Sequence, residues 1–206
     1  SRWRDIAVTR WQEDTTRDPY GSFIFLRDVD SGQLWSSSTE PLGNEGLYLS
    51  GVFEEDHAQF VRHDGSLITT TDVLVSGEDD GEVRRISLNN NGRSGRDIEL
   101  TSYVELVLSL PATDNAHPAF TKMFVQTEYV AEYGALIATR RLRSPGETPV
   151  WAAHFAVVEG EVIADPQYET DRALFIGRGQ SIATAAAITL ADALPDEASA
   201  LTRYTG

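Results

Sequence analysis

The stretch from residue 97 to residue 108 constrains the fold most. Ile98, Leu100, Val104, Leu106 and Leu108 alternate with Asp97, Glu99, Thr101 and Glu105. Successive side chains of a strand point to opposite faces, so this spacing predicts one strand with its apolar set over a core and its polar set toward solvent. Alternation of the same kind recurs at 22–27, 33–37, 47–53, 59–63, 67–75, 83–88, 122–131, 135–142, 150–158 and 168–176. Between these segments lie Asp30-Ser31-Gly32, Asp64-Gly65, Asp79-Asp80-Gly81, Asn91-Gly92 and Tyr133-Gly134. Such residues tolerate the backbone angles that tight antiparallel connections need. The pattern predicts an all-β chain of two packed antiparallel sheets, with at most one or two short helices. The alanine-rich run at 181–194, closed by Pro195, is the place expected for a helix.

A chain of 206 residues is long enough for one large sandwich, and no fixed repeat or low-complexity linker divides it. Residues 1–206 are therefore expected to form a single domain. Acidic side chains outnumber basic ones 32 to 17, giving a net charge of −15. That balance disfavours nucleic acid and direct membrane contact, which both require a concentrated positive face. The chain has no cysteine, so disulfides and thiolate metal sites are excluded. No run of about 18 apolar residues marks a membrane span. The chain opens on Ser1 within a dense Arg-Trp-Arg-Asp run, which suggests a piece of a longer polypeptide.

Motifs for chemistry are sparse. Gly177 and Gly179 lack the third glycine of a dinucleotide loop, and Gly92-Arg93-Ser94-Gly95 has the wrong spacing for a nucleophile elbow. His57, His63, His117 and His154 show no ligand spacing with a carboxylate alongside, so no metal site is expected. His154 alternates with Trp151, Ala153, Phe155 and Val157, which places it on the opposite strand face, toward solvent or a second sheet. The acidic run 78–82 lacks the ligand order of a calcium loop and reads as a solvated hairpin tip. Two segments stand above this background. The opening residues Arg2, Trp3 and Arg4, continuing to Arg10 and Trp11, alternate groups that stack on sugar faces or bond hydroxyls, unless they simply form an amphipathic strand. The second is the polar loop at 111–118, held between Pro111 and Pro118 and followed by Phe120, Thr121 and Lys122.

Four stretches carry a family resemblance: Ser-Arg-Trp-Arg-Asp-Ile-Ala-Val-Thr-Arg-Trp at 1–11, Gly-Ser-Phe-Ile-Phe-Leu-Arg-Asp-Val-Asp-Ser-Gly-Gln-Leu-Trp-Ser at 21–36, Glu-Leu-Thr-Ser-Tyr-Val-Glu at 99–105, and His-Pro-Ala-Phe-Thr-Lys-Met-Phe-Val-Gln-Thr-Glu at 117–128. In order and spacing the chain resembles the amino-terminal sandwich of glycoside hydrolase family 94, most of all the phosphorylase-like region of cyclic β-1,2-glucan synthases. The resemblance implies a galactose-mutarotase-like super-sandwich that precedes a catalytic (α/α)6 barrel lying outside this chain. It implies inverting phosphorolysis with inorganic phosphate as co-substrate, no cofactor, and a catalytic aspartate in the barrel, so no catalytic residue is carried onto this chain. The implied partners are a β-glucan or glucose oligosaccharide, the barrel of the same polypeptide, and a second subunit in a homodimer. In dimeric members the loop matching 112–122 reaches the neighbouring active site, which marks His117, Phe120, Thr121 and Lys122 as acceptor-side candidates beside Arg2, Trp3 and Arg4. The implied location is cytoplasmic, including the cytoplasmic side of an inner-membrane multidomain bacterial protein. Outside the resemblance, a free carbohydrate-binding module would line up Trp3, Trp11, Trp35 and Tyr48 on one face. A mutarotase-like epimerase would instead pair His117 or His154 with a glutamate.

Overall fold

A computed structural model describes residues 1–10, 20–44, 46–189 and 202–205. Fourteen strands form four antiparallel sheets among these residues. The first contains β1 (Arg2–Trp3), β2 (Ile6–Thr9) and β10 (Leu106–Ser109), in that order. The second joins β14 (Thr202–Thr205), β9 (Ile98–Val104), β3 (Ser22–Asp28) and β4 (Leu34–Ser36). A meander of β5 (Tyr48–Phe53), β6 (His57–Asp64), β7 (Leu67–Val75) and β8 (Glu82–Asn90) makes the third. The fourth is β11 (Val125–Val130), β12 (Ala135–Arg140) and β13 (Trp151–His154). The turns match the sequence reading: Gly65 between β6 and β7 has φ +62°, and Gly134 between β11 and β12 has φ +57°, a region open to glycine at little cost.

Three apolar clusters hold the layers together. Ile24, Leu26, Trp35, Leu67 and Ile98 pack the β3–β9 sheet against the meander. Leu108, Ala138 and Val150, with Trp3, Ile6, Val8 and Leu106, join the β1-β2-β10 sheet to the β11–β13 sheet. On the other face of β3, Phe25 meets Tyr103, Phe175, Ile176, Ile182 and Ile188. Strand β3 is thus covered on both sides, which explains its nearly continuous apolar sequence Phe23-Ile24-Phe25-Leu26.

The structure corrects several expectations. The stretch 97–108 is two strands, β9 and β10, with a register irregularity between Leu106 and Ser109 and Leu108 at φ +52°. Its supposed solvent face is enclosed: Glu99, Thr101 and Glu105 are buried, and Asp97 alone of that set is exposed. Ion pairing makes this burial tolerable, since Glu99 meets Arg27 and Glu105 meets three cations.

The expected strand at 168–176 does not form, and its second half is instead a helix, Arg172–Ile176. The Asp171 carboxylate accepts from the amides of Ala173 at 2.7 Å and Leu174 at 3.4 Å, and Gly177 at φ +86° stops it. The loop at 111–118 is also helical, as α1 (Pro111–Ala116), and α2 (Pro118–Lys122) follows, each led by a proline. With Arg172–Ile176 as α3, the run at 181–194 supplies a 3₁₀ turn at Ile182–Thr184 and α4 (Ala186–Thr189); its remainder lies outside the described residues. Short helices are thus more numerous than expected, though the fold stays all-β. Of the expected strand at 150–158 only β13 forms, and the apolar set Trp151, Phe155 and Val157 faces outward while Ala152 and His154 turn in. No helix among the described residues is long and apolar enough to cross a membrane.

Candidate functional site

Strand β10 runs directly into α1 and α2, and the fold ties this double helical turn down with buried charge. Arg10, at the end of β2, is 7% exposed and grips Asp114 of α1 with both arms of its guanidinium; the Nε donates to Oδ2 at 2.7 Å. The Arg10 Nη2 that bonds Asp114 Oδ1 also reaches the carbonyl of Pro118 at 3.3 Å, and the same guanidinium lies 5.3 Å from the Tyr20 ring. The planar fork of arginine suits this two-point contact, which fixes orientation as well as distance.

Glu105, between β9 and β10, is the second anchor. One of its oxygens, Oε1, takes the Lys122 ammonium, the Arg172 Nε at 3.3 Å and an Arg10 nitrogen at 3.5 Å. The other, Oε2, accepts the Tyr103 hydroxyl at 3.1 Å. Burial pulls the Lys122 ammonium below its usual value even though Glu105 pulls the other way. Burial first, and Glu105 second, push the Tyr103 phenol up.

The candidate residues take different places in this frame. Thr121 is 1% exposed, and its hydroxyl donates to the His117 carbonyl at 3.0 Å, so it closes the turn from within. Lys122 is committed to Glu105. His117, at the junction of α1 and α2, and Phe120, 46% exposed, face outward. Phe120 also meets Phe124 edge-on at 5.0 Å, with Arg143 5.4 Å above it.

In the opening hairpin, Trp3 packs into the cluster around Leu108, and its indole nitrogen is enclosed without a hydrogen-bond partner among the described residues. Arg4, at φ +52° in the turn between β1 and β2, lies 4.6 Å above the Trp3 ring. Arg2 is exposed and pairs with Asp5 at 3.5 Å. The hairpin therefore presents two arginines, while its tryptophan is spent on packing. Arg10, Tyr103, Glu105, Asp114 and Arg172 were not singled out by sequence as one site. Arg10 and Asp114 stand 104 positions apart, and no local spacing announces such a pair.

Trp3, Trp35 and Tyr48 belong to three different sheets, and Trp35 is 1% exposed in the core, so these three do not form an aromatic line; Trp11 lies outside the described residues. Among the described residues neither His117 nor His154 is hydrogen-bonded or ion-paired to a glutamate. The His154 Nε2 is enclosed without a hydrogen-bond partner among the described residues; burial lowers the imidazole below its usual value, and Arg84 of β8 adds to that.

The chain is 40% identical over 188 residues to the cyclic beta-(1,2)-glucan synthase NdvB of Rhizobium meliloti (strain 1021), a match covering 91% of this chain and 7% of that protein. It is 27% identical over 131 residues to the N,N'-diacetylchitobiose phosphorylase of Vibrio furnissii, covering 61% of this chain and 16% of the relative. The solabiose phosphorylase of Paenibacillus borealis is 23% identical over 156 residues, or 75% of this chain and 19% of its own length. The chain thus spans less than a fifth of each of these carbohydrate-active relatives. A family model described as glycosyl hydrolase 94, supersandwich domain, matches residues 1–201, and with the layered antiparallel sheets this makes the chain a member of that supersandwich family.

Proposed function

We propose that this domain is the non-catalytic sandwich of a β-1,2-glucan synthase or phosphorylase-type enzyme. It packs on a catalytic (α/α)6 barrel of the same polypeptide and offers the turn at 111–122 to the acceptor side of the active site. The observation that carries this reading is the Arg10–Asp114 and Glu105–Lys122 network, which fixes that turn against β10 while leaving His117 and Phe120 outward. Preorganising a recognition loop in this way removes ordering cost from the binding step. In the parent enzyme, inorganic phosphate would attack the anomeric carbon as the glycosidic bond breaks, and an aspartic acid of the barrel would protonate the departing oxygen.

The test is made in the longer polypeptide. His117→Ala and Phe120→Ala are expected to raise KM for the acceptor by about tenfold, with kcat largely kept, the mark of lost uniform binding. Unchanged acceptor KM in both variants rejects the acceptor-side role. Calorimetric titration of the 206-residue chain with β-1,2-gluco-oligosaccharides is expected to show no binding; tight binding would instead favour an independent carbohydrate-binding module.

A further inference from the structure

We infer that the arginine–phenylalanine cluster where α2 meets the end of β12 is a docking surface for a carboxylate-bearing protein partner. Phe124 lies 5.4 Å from the guanidinium carbons of both Arg140 and Arg141 and 5.5 Å from that of Arg143. Three positive groups thus surround one ring. The ring faces attract the cations, but the cations repel one another, and that repulsion asks for a counter-charge. None is supplied locally: no described carboxylate forms an ion pair with Arg140, Arg141 or Arg143. The nearby Glu147 carboxylate accepts from the Arg143 backbone amide at 2.8 Å, not from its guanidinium. The Arg140 Nε is enclosed without a hydrogen-bond partner among the described residues. In a chain of net charge −15, a positive cluster left unneutralised marks a place where the surface is set apart from its surroundings.

The neighbouring surface selects the partner class. Phe120, Met123 and Leu142 are exposed by 46%, 73% and 42%, so the cationic cluster is flanked by apolar side chains. Arginine, aromatic residues and methionine together are the composition of protein interface cores. A bare phosphate would leave the apolar flank in water, and a nucleic acid would meet the repulsion of the acidic remainder of the chain. Carboxylates on a partner with apolar neighbours satisfy both halves.

Fluorescence anisotropy of the 206-residue chain tests this with a labelled peptide of alternating Glu and Phe, against a matched Gln and Phe peptide and against sulfated dextran. The acidic peptide is expected to bind about tenfold or more tightly than its Gln counterpart, to weaken with salt, and to lose about tenfold in R141E/R143E. The milder R141Q/R143Q variant, with an unchanged circular dichroism spectrum, must show a loss in the same direction, which separates lost docking from lost folding. Equal binding of the two peptides, retained binding in R141Q/R143Q, or binding of sulfated dextran alone overturns the proposal. Phe120 flanks both surfaces, but the arginine variants test docking and His117→Ala tests the acceptor side, so either reading can fail without the other.

Discussion

Two clusters of basic side chains meet α2, and they are built in opposite ways. Around Glu105 and Asp114, the cations Arg10, Lys122 and Arg172 each have a carboxylate partner. Around Phe124, the side chains of Arg140, Arg141 and Arg143 have aromatic faces and no ion-pair partner among the described residues. Charge neutralised by a buried carboxylate has its value in the fold, because Glu105 and Asp114 have left water and need those cations. Charge left on an aromatic rim contributes little to stability and stays available to something else. Similar side chains therefore serve different ends, and the carboxylates decide which.

The largest expected effect breaks the first cluster. Asp114→Ala strands Arg10 in a buried position, and the urea midpoint should fall by an amount worth about 3–5 kcal/mol. A loss under about 1 kcal/mol would mean that Arg10 finds water or another partner. Glu105→Gln should cost less, about 2–3 kcal/mol, since Lys122 and Arg172 are partly exposed and can turn to solvent.

A pH titration sharpens the contrast further. Because Lys122 titrates below its usual value in the fold, the unfolded chain binds more protons in the window between that depressed value and 10.5. Stability contributed at this site should therefore rise with pH through the window, and Lys122→Met should flatten the slope. Tyr103 acts in reverse. Its raised phenol means the folded state holds the proton longer, so stability should fall as pH passes 10.0, and Tyr103→Phe should remove that fall. Smallest of all, R141Q/R143Q should shift the midpoint by an amount worth about 0.5 kcal/mol or less, while weakening the docking of the acidic peptide.

The sequence made the sheets legible because period-2 alternation and glycine turns are local signals. Strands β3, β5, β7 and β8 lie close to where the spacing puts them. Local signals fail where tertiary partners decide. Glu99 and Glu105 read as solvent-facing until Arg27, Lys122 and Arg172 arrive from distant segments. In α3, alternation at Ala173 and Phe175 fits a strand equally well, and the deciding signals were the Asp171 cap and the Gly177 stop. At the candidate site, the polar, proline-bounded segment at 111–118 pointed to an outward position for His117 and Phe120, and both are exposed. The inward turn of Thr121 was not, because its partner is the backbone carbonyl of His117 across the same turn.

Glu105 holds Lys122 at one end of the turn and Arg172 at the start of α3, two segments 50 positions apart. A single carboxylate shared between them makes their local order thermodynamically common property. Opening of either segment weakens the hold on the other, so amide exchange at 111–122 and at 172–176 should speed up together whenever one is loosened. Whatever packs against α3 in a longer polypeptide thereby gains leverage over the turn that carries Phe120, without touching it.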